Sequence, residues 1–113
     1  MELAVTEIGA AKNCVRLNGR LDAAGADQIG VRFTASTAAT GQDTLVDLSG
    51  VPFIASMGIR LLISSARALS AKGAKLVLFG AQELVQEVLE QAAVDQIVSL
   101  VATEQQALEL LEA

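Results

Sequence analysis

Short apolar runs alternate along this sequence with longer segments whose apolar residues recur every three or four positions. The first pattern predicts β-strands, and the second predicts amphipathic helices. Strands are predicted at 2–8, 13–18, 44–48, 75–79 and 96–101, and helices at 22–40, 56–72, 82–92 and from 103 onward. The resulting order, ββαβαβαβα, predicts an α/β fold: a mixed, mostly parallel β-sheet flanked by helices, with an antiparallel hairpin at its start.

Glycines and polar caps mark where these elements end. Residues 9–12 are predicted to form the hairpin turn. Asp22 precedes the first helix as a capping acid, and Gly41 is predicted to close that helix. Thr103 and Gln106 have the spacing of a capping box, in which each side chain satisfies a backbone N–H at the start of a helix.

The composition limits the chemistry that this chain can perform. Its 113 residues suit a single domain, predicted to span 1–113, and 52% of them are hydrophobic. The sequence contains no His and a single Cys, Cys14, so it lacks the commonest general base and any thiolate metal cluster. No phosphate-binding loop of the GxxxxGK[ST] or GxGxxG type occurs. We therefore expect no enzymatic activity, no catalytic residues, no cofactor and no metal.

The charge distribution argues against several kinds of partner. The formal net charge is −5, and residues 81–113 contain seven acids and no base. Nucleic-acid binding needs a basic surface, so we do not expect it. The sequence does not begin with a basic and apolar leader, and no apolar run approaches the roughly 18 residues that span a bilayer. We expect a cytoplasmic protein without membrane insertion.

The segment 45–62, LVDLSGVPFIASMGIRLL, is the most informative part of the chain. It runs from a predicted strand through a loop into a predicted helix, and functional groups of open α/β sheets gather at such strand ends. Ser56 is the first residue or the cap of that helix. Its hydroxyl could accept a backbone N–H as an N-cap. It could also be a phosphorylation site, where a phosphate would meet unpaired N–H groups and the positive end of the helix dipole.

Within that segment, DLSGVPFIASMGIRLL resembles the signature of the STAS domain, specifically that of the bacterial anti-sigma factor antagonists. That signature is an apolar strand, Asp-(Leu/Val)-Ser, an apolar loop, Asp-Ser-(Ser/Thr)-Gly and a Leu-rich helix. Three other segments are similar to the entry of the family's first helix, the stretch after its second helix and its C-terminal helix: NGRLDAAGADQI, AKGAKLVLFG and TEQQALELL. The resemblance covers nearly the whole chain and implies the STAS fold.

The resemblance also implies a function, partner switching in the control of transcription. Such antagonists bind an anti-sigma factor that is itself a serine kinase of the GHKL type, and they thereby free a sigma factor. The kinase uses ATP to phosphorylate a serine of the antagonist, which breaks the complex, and a phosphatase resets it. By position in the motifs, Ser56 is the implied acceptor and Gly58 the helix glycine, while Asp22, Asp47 and Ser49 match the helix-entry acid and the strand-end pair.

Two residues depart from the family pattern. Ala55 stands where the pattern has Asp, and Met57 stands where it has Ser or Thr. Loss of the acid removes a group that a kinase could recognise, and it also removes a like charge next to a future phosphate. Met57, with Phe53 and Ile54 nearby, would suit an apolar contact surface for a partner, although a Met can equally fill a core.

Other interpretations of these residues stay open. Asp22 can be simply a helix cap, and Asp47 can brace the loop that follows its strand. Arg60, one turn beyond Ser56, can pair with a phosphate or a partner, or it can lie on a solvated face. The two departures also favour an alternative function: a STAS subunit that is not phosphorylated, in a larger assembly such as a lipid-transport ABC complex or a signalling scaffold.

Overall fold

A computed structural model describes residues 1–9 and 11–112. Over those residues, the chain has the predicted order ββαβαβαβα. The strands are β1 (Glu2–Gly9), β2 (Lys12–Asn18), β3 (Asp43–Gly50), β4 (Leu76–Phe79) and β5 (Ser99–Val101). The helices are α1 (Ala23–Ser36), α2 (Ser56–Ala71), α3 (Glu83–Gln91) and α4 (Glu104–Glu112). The turn predicted at 9–12 includes Ala10, which lies outside the described residues.

Each strand of the sheet lies beside its neighbour in sequence, in the order β1-β2-β3-β4-β5. β1 and β2 are antiparallel and the other neighbours are parallel, which confirms the predicted mixed and mostly parallel sheet. Parallel neighbours need crossover helices, and right-handed crossovers that advance in one direction place α1, α2 and α3 on the same face. α4 follows β5 and packs on the opposite face.

Two apolar clusters bury the two faces of the sheet. The larger cluster contains side chains of α1, α2 and α3, among them Phe33, Leu62 and Leu89, which are fully buried. The smaller cluster joins Ala107 and Leu111 of α4 to the other face of the sheet. Leu, Val and Ile supply most of the larger cluster and half of the buried residues of the smaller one, because aromatic residues are only 3% of the sequence.

α1 ends earlier than the sequence predicts. The prediction closes the helix at Gly41, but the last helical residue is Ser36. The hydroxyl of the buried Thr37 donates to the Phe33 carbonyl at 2.7 Å, and the Thr37 N–H bonds to the same oxygen at 3.0 Å. Threonine favours local bonds of this kind over a continuing helix. The chain then forms turns as far as Gly41, whose φ of +66° suits glycine.

β5 is also shorter than the predicted strand over 96–101. Ala93 adopts a left-handed conformation, with φ of +58°, and leads into a 3₁₀ turn at Val94–Gln96. The N–H groups of Ile97 and Val98 both bond back to the Val94 carbonyl, at 2.9 and 2.8 Å. Because those N–H groups are already paired, pairing with β4 begins only at Ser99.

The predicted capping box at the start of α4 is confirmed. Thr103 Oγ1 accepts the Gln106 N–H at 3.1 Å, and Gln106 Oε1 accepts the Thr103 N–H at 3.2 Å. We expect Thr103→Ala to lower the free energy of unfolding by about 1 kcal/mol, because a helix N–H loses its partner. Chemical denaturation measures the change, with the exposed neighbour Gln105→Ala as control. Equal effects of the two substitutions would contradict the capping role.

Candidate functional site

The start of α2 is held against the segment that precedes α1. The Leu21 N–H donates to the Phe53 carbonyl at 2.9 Å, and the Leu21 carbonyl accepts the Ala55 N–H at 3.0 Å. These bonds flank a parallel bridge between Leu21 and Ile54. A Cβ added to Gly58 would lie 2.6 Å from the Leu21 carbonyl oxygen. Glycine at position 58 therefore permits the close approach that fixes where α2 begins.

Ser56 is the first residue of α2, and it is exposed. Ala55 occupies the N-cap position with an extended backbone, and no side chain of the described residues caps the helix. The interpretation of Ser56 as the N-cap is therefore wrong, because Ser56 is the first residue of the helix. Its hydroxyl lies where the first backbone N–H groups of α2 have no helical partner and where the helix dipole is positive.

The residues around Ser56 divide into exposed and buried ones. Met57 is 47% exposed, so it does not fill the core. Phe53 is half-buried, and the Arg20 guanidinium carbon lies 4.3 Å from the centroid of its ring, a cation–π contact that orients the ring. Ile54 is only 3% exposed and belongs to the larger apolar cluster. Its assignment as a contact residue on the surface is therefore wrong, because its pairing with the segment before α1 turns it inward.

A separate polar cluster lies at the end of β3, on the face that α4 covers. Asp47 is 8% exposed; its carboxylate accepts from Arg16 at 2.6 Å and from the Ser49 N–H at 2.9 Å. Arg16 also pairs with Glu104, the first residue of α4, at 3.0 Å. Burial raises the pKa of Asp47, but the hydrogen bonds from Ser49 and Arg16 outweigh burial and the net pKa is lowered. Asp47 thus braces its loop and α4, and the structure does not join it to Ser56.

The remaining predicted residues have the following places. Asp22 caps α1, since its Oδ1 accepts the Gly25 N–H at 2.8 Å, and this bond lowers the pKa of its carboxyl. Ser49 is exposed, and its carbonyl accepts from the Gln82 side chain at 2.9 Å. Arg60 is exposed on α2. Contact of these residues with a partner stays a prediction.

Sequence reasoning missed two arginines that shape these clusters. Arg16 stands directly opposite Asp47 in the parallel register of β2 and β3, so their pairing follows once the register is known. No periodic pattern gives that register in advance. Arg20 and Phe53 lie in two separate irregular segments, and no spacing in the sequence predicts that they are in contact.

The described part of the chain offers neither a metal site nor a membrane span. No group of three or more His, Cys, Asp or Glu is placed to hold a metal ion there. None of the helices described is both long enough and apolar enough to cross a membrane. Cys14 is buried in the smaller apolar cluster, and burial raises the pKa of its thiol.

A mixed sheet in sequential strand order, with an exposed serine as the first residue of its second helix, defines a small α/β domain. The family model for the STAS domain matches residues 3–107. The chain therefore belongs to the STAS domain family. No curated protein sequence matches it significantly.

Solved structures share this fold at low sequence identity. An anti-sigma-factor antagonist (STAS) domain protein from Planctomyces limnophilus superposes with a TM-score of 0.84, at 24% identity over 98% of each chain. The Bacillus cell fate determinant SpoIIAA in its phosphorylated form gives 0.71, at 19% identity over 96% of this chain and 97% of that one. The murine anion transporter Slc26a9 gives 0.77, at 20% identity over 91% of this chain but 18% of that one. At these identities the likeness shows the fold.

Proposed function

We propose that this protein is an anti-sigma factor antagonist whose partner binding is switched off by phosphorylation of Ser56. The observation that carries the proposal is the exposed Ser56 at the start of α2, a helix with no side-chain cap. The serine stands between the half-buried Phe53 and the exposed Met57. A partner that packs over the start of α2 would cover both Met57 and the Ser56 hydroxyl, since both residues are exposed there.

The switch follows from the cost of burying charge. A phosphate adds about 1.5 to 2 negative charges and three strong acceptor oxygens. In the free protein those charges are solvated. In a complex that covers Met57 they would lose water, and burial of a charge is costly unless the partner supplies a cation. Phosphorylation of Ser56 therefore favours the free antagonist.

The proposed partner is an anti-sigma factor that is also a serine kinase of the GHKL type. The Ser56 oxygen would attack the γ-phosphorus of ATP, with ADP leaving and the hydroxyl proton passing to a base of the kinase. A phosphatase would hydrolyse the phosphoserine and restore binding. The phosphorylated SpoIIAA structure supports the proposal, since it is a protein of this fold in a phosphorylated form. The proposal gives the antagonist no catalytic residue of its own.

Binding of the kinase by three variants tests this function. We expect Ser56→Glu to weaken binding at least about tenfold, which corresponds to roughly 1.4 kcal/mol, while Ser56→Ala binds like the unphosphorylated protein and is no longer phosphorylated. The kinase is isolated by co-purification from native cells, and affinities are measured by calorimetry. Ser70→Glu is the matched control, because Ser70 is exposed on the same helix about 21 Å further along the axis.

Two results would contradict the switch. The first is a Ser56→Glu variant that binds as tightly as the wild type. The second is an intact mass from native cells that never includes a phosphate under any growth condition. In a supporting result, the added phosphate appears in the intact mass and disappears in Ser56→Ala.

A second candidate is an unphosphorylated STAS subunit of a larger assembly, such as a lipid-transport ABC complex or a signalling scaffold. Ala55 and Met57 favour it, because both depart from the kinase-substrate pattern. The likeness to a region of the anion transporter Slc26a9 supports it as well, since a domain of this fold there forms part of a much longer chain. This candidate predicts a stable complex in native lysate with no phosphorylated fraction.

A further inference from the structure

One groove next to Ser56 carries positive charge. It runs between α2 and the end of α3, with a volume of about 580 Å³. Ile59 and Ile63 of α2 contribute its apolar lining, and Ala92 closes it from the other side. Ser56 lies at one end, and Arg60 and Arg67 line the same groove.

The two arginines stand out because neither is in an ion pair within the described part of the chain. Helix α2 contains no acid, and Arg60 and Arg67 are its only bases. Both are exposed, and within residues 1–9 and 11–112 neither makes an ion pair or a side-chain hydrogen bond. Every other arginine of the chain has a side-chain hydrogen bond within the described residues. A protein with a net charge of −5 thus keeps two unpaired cations on one face of α2.

Helix geometry directs Arg60, rather than Arg67, towards Ser56. Residues four apart lie on the same face, about 6 Å apart along the axis. Long side chains of a helix lean towards its N-terminus, over the residue four positions earlier. We therefore expect the side chain of Arg60 to be within reach of Ser56, and both residues line the same groove. Arg67 is on the same face but about 16 Å from Ser56 along the axis, beyond the reach of its side chain.

The uncapped start of α2 adds to this arrangement. Ala55 at the N-cap offers no acceptor for the first N–H groups of the helix. A phosphate on Ser56 would lie beside those groups and could accept from them, as anions do at helix N-termini. The guanidinium of Arg60 would meet the same phosphate from the groove side, with the planar fork that suits bidentate binding of phosphate.

We propose that Arg60 binds the phosphate on Ser56 of the same chain, a contact in cis. It would hold the phosphate at the Ser56 end of the groove between α2 and α3. The inference rests on the proposed function, because it takes Ser56 as the phosphorylated residue. Arg60 has two states in this scheme. It is a free cation in the unphosphorylated protein and an ion-paired one after phosphorylation, so the modification changes the surface at both residues.

The test uses purified protein in which phosphoserine is incorporated at position 56 during translation, without any kinase. Phosphorus NMR follows the second ionisation of the phosphate as the pH is raised. An adjacent guanidinium favours the dianion, so we expect the phosphate to bind its proton about threefold more weakly in the wild type than in Arg60→Gln. Arg67→Gln is the matched control and should titrate like the wild type. Arg60→Lys should recover part of the effect, since it keeps the charge but not the fork.

Thermal unfolding supplies a second readout. Phosphate at position 56 should raise the midpoint temperature of unfolding in the wild type and in Arg67→Gln. The increase should be smaller in Arg60→Gln. Unphosphorylated Arg60→Gln should melt like the wild type, because the side chain it replaces is exposed and unpaired. The inference is overturned if the phosphate titrates in the same way in the wild type and in Arg60→Gln. It is also overturned if Arg67→Gln changes the titration as much as Arg60→Gln does.

Failure of the inference and failure of the proposed function are distinguishable. Neither readout involves a partner, so a changed titration in Arg60→Gln supports the contact even if Ser56→Glu still binds the kinase tightly. In that case the partner switch is wrong and the contact in cis stands. The opposite result is that the phosphate titrates in Arg60→Gln as in the wild type, while phosphorylation still weakens the complex with the kinase. That result would support the partner switch and overturn the contact in cis.

Discussion

Gly58→Ala is expected to lower the free energy of unfolding by about 3 kcal/mol, the upper end of the usual cost of overpacking. The added Cβ would lie 2.6 Å from both the carbonyl oxygen and the Cγ of Leu21. The oxygen belongs to backbone that also accepts the Ala55 N–H, so it cannot shift without breaking that bond. The Leu21 side chain is fully buried and has no room to turn away. Chemical denaturation of the two proteins measures the loss.

Gly30→Ala is the matched control for this substitution. Gly30 lies inside α1, and a Cβ there would meet no atom within 4 Å. The same chemical change should therefore stabilise the protein, by roughly 0.5–1 kcal/mol, because alanine is the better helix former. Opposite signs at the two positions would show that crowding, and not the loss of glycine's freedom, decides the outcome at Gly58. A stable Gly58→Ala protein would contradict the account of how α2 is positioned.

Asp47→Asn is expected to cost about 2 kcal/mol at neutral pH, in the range for hydrogen bonds to a charged group. The carboxylate is nearly buried and accepts from the Ser49 N–H and from Arg16. Since the Arg16 side chain is 45% exposed and can return to water, the larger part of the loss is expected at the buried acceptor.

The cost of Asp47→Asn should depend on pH. The pKa of Asp47 is lowered in the folded protein, so its contribution is complete above its ordinary value of 3.8 and is lost as the pH falls through the folded-state pKa. The stability difference between wild type and variant should therefore shrink towards zero in acid. Asp27→Asn is the control, because Asp27 is exposed on α1 and its replacement should change stability by less than about 0.5 kcal/mol. A difference that does not vary with pH would contradict the assignment.

The order and type of the elements could be predicted because each long segment has a single strong period. Helix α3 follows its apolar spacing to within one residue of the prediction at each end. The errors arise where a local hydrogen bond competes with the pattern. Thr37 bonds back to Phe33 and ends α1, and the turn at Val94–Gln96 removes residues from the predicted last strand.

The candidate site was predicted less completely, for a different reason. Ser56 and Gly58 belong to one short motif, so the sequence brings them together without any knowledge of the fold. Ile54 lies in the same motif, yet its burial depends on a bridge to Leu21, which is 33 positions earlier in the sequence. Contacts of that range, like the approach of Arg20 to Phe53, depend on packing that no local pattern encodes.

The sequential strand order has a consequence for the way this chain acquires its fold. No strand has to be inserted between two earlier ones, so the sheet can grow by one strand at a time as the polypeptide leaves the ribosome. The side covered by α4 is the exception. Leu45, Val77 and Phe79 stay uncovered until Ala107 and Leu111 are synthesised. A nascent chain that stalls before α4 would present an apolar sheet surface to its surroundings, and that is the stage at which we expect it to need a chaperone.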